Sequence, residues 1–149
     1  MNDVNHCLSK TLVEQYGKDT LFVMEDLVGA DFAADKRSSE LREELSSWSH
    51  YDLAQKIAYK AALKGAKAIE VSAKYTSQHC PVCGRIRKAN RDNDNHVYVC
   101  DRCGYQTNDD RIAAINLAYL GLLYVGGDPD PRFKKQWEPK PKKPKPVSA

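Results

Sequence analysis

Cys80-Pro81-Val82-Cys83-Gly84 and Cys100-Asp101-Arg102-Cys103-Gly104 dictate how the middle of this chain folds. Two thiolates three residues apart grip one face of a metal ion. A second such pair closes a tetrahedral four-sulfur site, the geometry zinc accepts most readily. The spacing therefore predicts a structural zinc ribbon held by Cys80, Cys83, Cys100 and Cys103. The glycine after each pair is expected to let the backbone fold under the sulfurs, where a Cβ would crowd. Disulfides and a mononuclear iron site of rubredoxin type use similar knuckles. Met1-Asn2-Asp3-Val4-Asn5-His6 has neither the basic start nor the apolar run of a secretory leader. A reducing compartment is thus expected, in which thiols stay free or bind metal. Few aromatics flank the cysteines to shield an iron centre, which favours zinc. Cys7 is left over and reads as a small buried apolar residue on a helix.

Working outward, the segment between the pairs is polar and basic, with Arg85, Arg87, Lys88 and Arg91. These side chains either balance the charge of four thiolates or contact phosphate. His96-Val97-Tyr98-Val99 reads as a strand entering the second knuckle. The module has too little apolar content to fold unaided, and metal binding is expected to supply the difference. Asn108-Asp109-Asp110-Arg111 then opens a helix with Asn or Asp as its N-cap, and Ile112, Ile115, Leu117, Leu120 and Leu123 make it apolar.

Upstream, Leu8, Leu12, Val13 and Tyr16 recur at helical spacing over Asp3–Tyr16, with Gly17 as the stop. Thr20-Leu21-Phe22-Val23-Met24 is a continuous apolar run, expected as a strand buried on both faces and ending in Glu25-Asp26-Leu27. Acids at the C-terminal end of such a strand stand where open α/β sheets place their sites, or simply begin a solvated loop. Asp35 to Arg42 reads as a lid or solvated helix. Trp48 to Leu63 reads as a helix with Leu53, Ala54, Ile57, Ala58 and Ala61 in one stripe, and Trp48 and Tyr51 as core anchors. Ala68-Ile69-Glu70-Val71 is a second strand, so the order helix, strand, helix, strand predicts α/β topology. From 126 to 149 the chain is rich in Pro and Lys and is expected to be a disordered basic tail. The net charge of +3 over 149 residues permits nucleic-acid binding without requiring it, and no run is apolar enough to cross a bilayer.

Four stretches belong together: Phe22-Val23-Met24-Glu25-Asp26-Leu27; Lys74-Tyr75-Thr76-Ser77-Gln78-His79-Cys80-Pro81-Val82-Cys83-Gly84; Cys100-Asp101-Arg102-Cys103-Gly104-Tyr105; and Asn108-Asp109-Asp110-Arg111-Ile112-Ala113-Ala114-Ile115-Asn116-Leu117. In order and spacing they resemble the TnpB family, the OrfB proteins of insertion sequences, related to type V CRISPR effectors. The resemblance implies a partial RNase H-like (RuvC) domain over 1–73 and 108–125, with a zinc ribbon inserted at 74–107. It further implies three separated acids holding two Mg²⁺ ions for phosphodiester cleavage. Glu25 matches the second acid and Asp110 the third, with Asp109 as runner-up. Nothing in the chain matches the first acid. Ile112 stands where the family commonly has Asn, and Ser72-Ala73 replaces a frequent Asp-Pro.

The resemblance thus implies a cytoplasmic, nucleoid-associated prokaryotic protein with DNA and guide RNA as partners. It is expected to be a truncated transposon nuclease, inactive alone. The competing expectations are a small zinc-ribbon DNA- or RNA-binding regulator and one half of a split nuclease whose other half is a separate chain.

Overall fold

A computed structural model describes residues 2–26 and 40–134. In chain order the elements are α1 (Asn2–Tyr16), β1 (Leu21–Asp26), α2 (Glu40–Leu63), β2 (Lys67–Ser72), β3 (Arg91–Asp92), β4 (Val97–Val99), β5 (Gln106–Asn108) and α3 (Asp109–Val125). A single 3₁₀ turn at Lys88–Asn90 precedes β3. β1 and β2 pair in parallel, in the register Leu21 with Lys67 through Asp26 with Ser72. Parallel neighbours need a long crossover, and α2 supplies it. β3, β4 and β5 form a separate antiparallel sheet.

Two sequence expectations fail at the first strand and helix. β1 is half-buried along its length rather than closed in on both faces. Among the described residues it has one strand neighbour, β2, and it packs on α3 and α2. The face that α1 turns to α2 is also not its leucine stripe. Leu8 is 44% exposed and Tyr16 58%, whereas Asn5 and Ser9 are buried. Asn5 Nδ2 donates to the Ser49 carbonyl at 3.1 Å and to Asp52 Oδ2 at 2.9 Å. Lys60 Nζ donates to Ser9 Oγ at 2.8 Å. A polar seam of this kind stays satisfied, so burying it costs little.

α2 starts eight residues earlier than the apolar stripe suggested, at Glu40. Ile57 and Ala61 are buried as expected, but Tyr51 is exposed and anchors no core. The side chain of Trp48 and most of the expected lid at 35–42 lie outside the described residues. Cys7 is exposed, because α1 turns Asn5, Ser9 and Val13 inward instead.

The main core joins Val71, Leu120 and Phe133, with Val23, Ile69, Tyr75, Ile86, Leu117 and Leu123 around them. Ile86 of the cysteine module packs here, which seats that module on the β1–β2 sheet. Phe133 corrects the expectation of a disordered segment from 126 onward. It is 8% exposed and stacks on His79 with ring centroids 4.0 Å apart. One aromatic residue in a Pro- and Asp-rich stretch finds an apolar groove, and the chain as far as Lys134 follows it. Residues 135–149 lie outside the described part.

α3 approaches β1 so closely that a Cβ on Gly121 would lie 2.6 Å from Val23 Cγ2. Gly121→Leu should therefore destabilise the chain by about 1–3 kcal/mol, as overpacking does. Gly121→Ala should cost less, because helix propensity returns about 1 kcal/mol. Urea unfolding midpoints of the two variants check this, and a Gly121→Leu midpoint at or above that of the parent contradicts it.

Candidate functional site

The two knuckles are built alike. Gly84 N–H donates to the Cys80 carbonyl at 2.9 Å and Cys80 N–H to the Arg85 carbonyl at 2.8 Å. Gly104 repeats the first bond to Cys100 at 2.9 Å, and Cys100 N–H reaches the Tyr105 carbonyl at 2.8 Å. Both glycines have φ +73°, so their freedom to adopt a left-handed backbone explains them. Crowding does not: a Cβ on Gly104 would meet nothing within 4 Å.

The four sulfurs lie within 4.8 Å of one another. Cys80 Sγ is 3.6 Å from Cys103 Sγ, and Cys83 Sγ is 3.5 Å from Cys100 Sγ. A tetrahedron of Zn–S bonds of about 2.3 Å has edges of about 3.8 Å, so the set fits that ion, while a disulfide needs about 2.05 Å. Burial pushes the Cys80 thiol up to about 12. Burial also opposes ionisation of Cys100, but the N–H groups of Cys103 and Arg102 outweigh it and bring that thiol down to about 7. A cation is what makes four clustered thiolates affordable. Tyr98 and Ile112, both buried, close the apolar side of the cluster. Ile112 packs there as an apolar wall for the sulfurs.

The basic loop is largely committed to carboxylates. Arg85 Nε and Nη2 each lie 3.3 Å from Asp101, and Arg87 pairs with the same side chain. The Arg85 and then the Arg87 guanidinium hold the Asp101 carboxyl well below the usual range. Arg91 Nε donates to Asp109 Oδ2 at 3.1 Å, and its Nη2 lies 3.6 Å from Asp110 Oδ1. Lys88 is exposed.

Glu25, at the end of β1, and Asp110, in the first turn of α3, line one cavity of about 370 Å³ with His50, Leu53, Ala113 and Leu117. Asn108 sets the direction of α3, its Oδ1 accepting from Asp110 N–H at 3.0 Å and Arg111 N–H at 3.2 Å. Asp109 differs from Asp110 in burial rather than in neighbourhood, since one carboxylate oxygen from each and a His96 ring nitrogen lie within 4.8 Å of one another. Its side chain is 2% exposed, against 81% for Asp110, and it faces Arg91 and His96.

Thr76, which touches Glu25, and Asn116, His79 and Phe133, which are linked in turn behind it, were not singled out from the sequence. Thr76 Oγ1 lies 2.7 Å from Glu25 Oε1. Asn116, fully buried, donates through Nδ2 to the carbonyls of Thr76 at 2.7 Å and His79 at 2.8 Å. Two backbone acceptors fix the amide's orientation, so Asn116 Oδ1 accepts from His79 Nδ1–H at 3.1 Å. Burial lowers the His79 pKa, which favours the neutral ring. Phe133 covers that ring. Thr76, His79 and Asn116 sat inside the quoted stretches, but only their contacts give them roles.

Residues 50–117 match the family described as Cas12f1-like, TNB domain. The chain is 46% identical over 74 residues to the CRISPR-associated endodeoxyribonuclease Cas12f1 of Sulfoacidibacillus thermotolerans, covering 50% of this chain and 17% of that protein. It is 31% identical over 118 residues to the TnpB-like protein MJ0751 of Methanocaldococcus jannaschii, covering 78% of this chain and 41% of the relative. The chain belongs to the TnpB family. Its mixed α/β fold is similar to that in the cryo-EM structure of the Cas12f1–sgRNA–target DNA complex. That match has a TM-score of 0.55 at 19% identity, over 78% of this chain and 32% of the other. This TnpB-family chain thus spans less than half the length of these relatives. No helix among the described residues is long and apolar enough to cross a membrane.

Proposed function

We propose that residues 1–73 and 108–125 form part of a RuvC-like nuclease domain of RNase H type. In this reading the module at 74–107 is a structural zinc ribbon that helps bind nucleic acid, with DNA and a guide RNA as the partner classes. One observation carries it: Glu25 from β1 and Asp110 from α3 open into the same cavity. Carboxylates that line one cavity from two elements are the ligand type a hard divalent ion such as Mg²⁺ takes. The choice of Asp110 over Asp109 follows from burial, since Asp109 is shut away against Arg91. Of the four basic-loop residues, Lys88 is the exposed one with no carboxylate among the described residues set against it, and so the one best placed to meet phosphate.

Two acids are too few to hold the ion pair that positions attacking and leaving oxygens in two-metal cleavage. The 149-residue polypeptide by itself is therefore expected to bind one divalent ion weakly and to leave DNA uncut. Mn²⁺ binding followed by electron paramagnetic resonance should weaken in Glu25→Ala and Asp110→Ala but not in Asp109→Asn. An incision assay in Mg²⁺ runs beside it. Efficient cutting that vanishes with Glu25→Ala would overturn the inactivity, and Mn²⁺ binding indifferent to both alanine variants would overturn the acid assignment.

A further inference from the structure

We propose that Thr76 is the positioning residue of the Glu25 carboxylate, and that Asn116 holds it in place from the helix that also carries Asp110. The proposal rests on reading Glu25 as a metal-binding acid and adds how that acid is aimed.

Thr76 is 2% exposed, in the turn that joins β2 to Cys80. Its hydroxyl lies 2.7 Å from Glu25 Oε1 and 2.9 Å from the Ala73 carbonyl oxygen. Both are acceptors, and the hydroxyl has one proton to give. The Ala73 oxygen already receives the Thr76 N–H at 3.3 Å, so the shorter, charge-assisted bond to Glu25 takes the proton. Glu25 is only half-buried, and a glutamate at the end of a strand otherwise samples several rotamers. The hydroxyl fixes one carboxylate oxygen and so fixes the direction of the other.

A hydroxyl can aim a carboxylate only if its own backbone is held. Asn116 Nδ2 does this through the Thr76 carbonyl at 2.7 Å, and through the His79 carbonyl at 2.8 Å three residues on. Asn116 stands six residues after Asp110 on α3. The turn also runs into Cys80, whose sulfur belongs to the four-cysteine cluster. β1, the turn and α3 thus form a closed frame in which the two acids share one reference.

The test uses the zinc-loaded full chain and reads Mn²⁺ affinity together with zinc content and melting temperature. Thr76→Val keeps the shape and removes the proton, and Thr76→Ser keeps the proton. Thr76→Val should weaken Mn²⁺ binding about tenfold, the lower end of what loss of an outer partner of a metal ligand costs, with zinc content unchanged. Thr76→Ser should restore binding to within about threefold of the parent. Parent-like binding in Thr76→Val, or equal loss in Thr76→Ser, overturns the positioning role while leaving the acid assignment standing. A parent chain whose Mn²⁺ binding ignores Glu25→Ala overturns the acid assignment, and the positioning role falls with it.

Discussion

Cys80→Ser is expected to bring zinc content from about one ion per chain to near zero and to melt the segment from Lys74 to Thr107. Cys80 is fully buried, and its sulfur is one of four in a cluster no wider than 4.8 Å. The hydrophobic support for the module is small: Tyr98, Ile112 and the cysteines themselves on one side, Ile86 on the other. Zinc bound to such a site contributes on the order of 10–16 kcal/mol, far more than that core supplies, so metal loss is loss of fold. Serine is a poor zinc ligand, and it leaves a buried hydroxyl beside three thiols. Zinc content by mass spectrometry and the tetrahedral thiolate bands of a Co²⁺-substituted chain read the effect directly. Cys7→Ser, on the exposed face of α1, should leave both unchanged. Stoichiometric zinc in Cys80→Ser, or a melting temperature indifferent to chelation, would remove the metal from the account. Because burial holds the Cys80 thiol protonated to about 12, the ion must displace a proton at neutral pH, and zinc affinity should decline as pH falls.

Asn116→Ala should cost about 3–5 kcal/mol, at the upper end for a single substitution. The amide is fully buried and serves three partners, the carbonyls of Thr76 and His79 and the ring N–H of His79. Alanine leaves all three without a protein partner, at about 1–3 kcal/mol each, offset where water enters the gap. Asn116→Asp should be no milder. It matches the amide in shape but removes both donors and sets a carboxylate oxygen against two carbonyl oxygens. Urea unfolding of the zinc-loaded variants measures both. Losses below about 1 kcal/mol in either would mean that the turn from Tyr75 to His79 is held by something else.

Much of this architecture was legible because its signals are local. The capping of α3 by Asn108, the stop at Gly17 and the parallel strands Leu21–Asp26 and Lys67–Ser72 each follow from a few adjacent residues. The readings that failed were those that needed to know a neighbour. Leu8 and Tyr16 have the spacing of a buried stripe, yet α1 turns Asn5 and Ser9 inward because α2 offers Ser49, Asp52 and Lys60 as polar partners. Phe133 lies in a stretch whose composition suits disorder, yet it stacks on His79 and Tyr119. Arg85, Arg87 and Arg91 form a basic run in the sequence, but the fold sets Asp101, Asp109 and Asp110 against them.

By itself the sequence determined the sulfur knuckles, because a CxxCG turn is set by bonds and backbone angles within six residues. It also determined the order of α1, β1, α2, β2, β4 and α3, which follows from periodicity, but not the short strands β3 and β5. Only the tertiary structure buried Asp109 while leaving Asp110 exposed, set Asp110 on the same cavity as Glu25 across 84 intervening positions, and put Thr76 against Glu25 and Asn116 against Thr76. Adjacent residues on a helix point about 100° apart, and which of them meets a cavity depends on how the whole helix is seated. That seating is fixed by distant contacts, among them Gly121 against Val23, which no local pattern records.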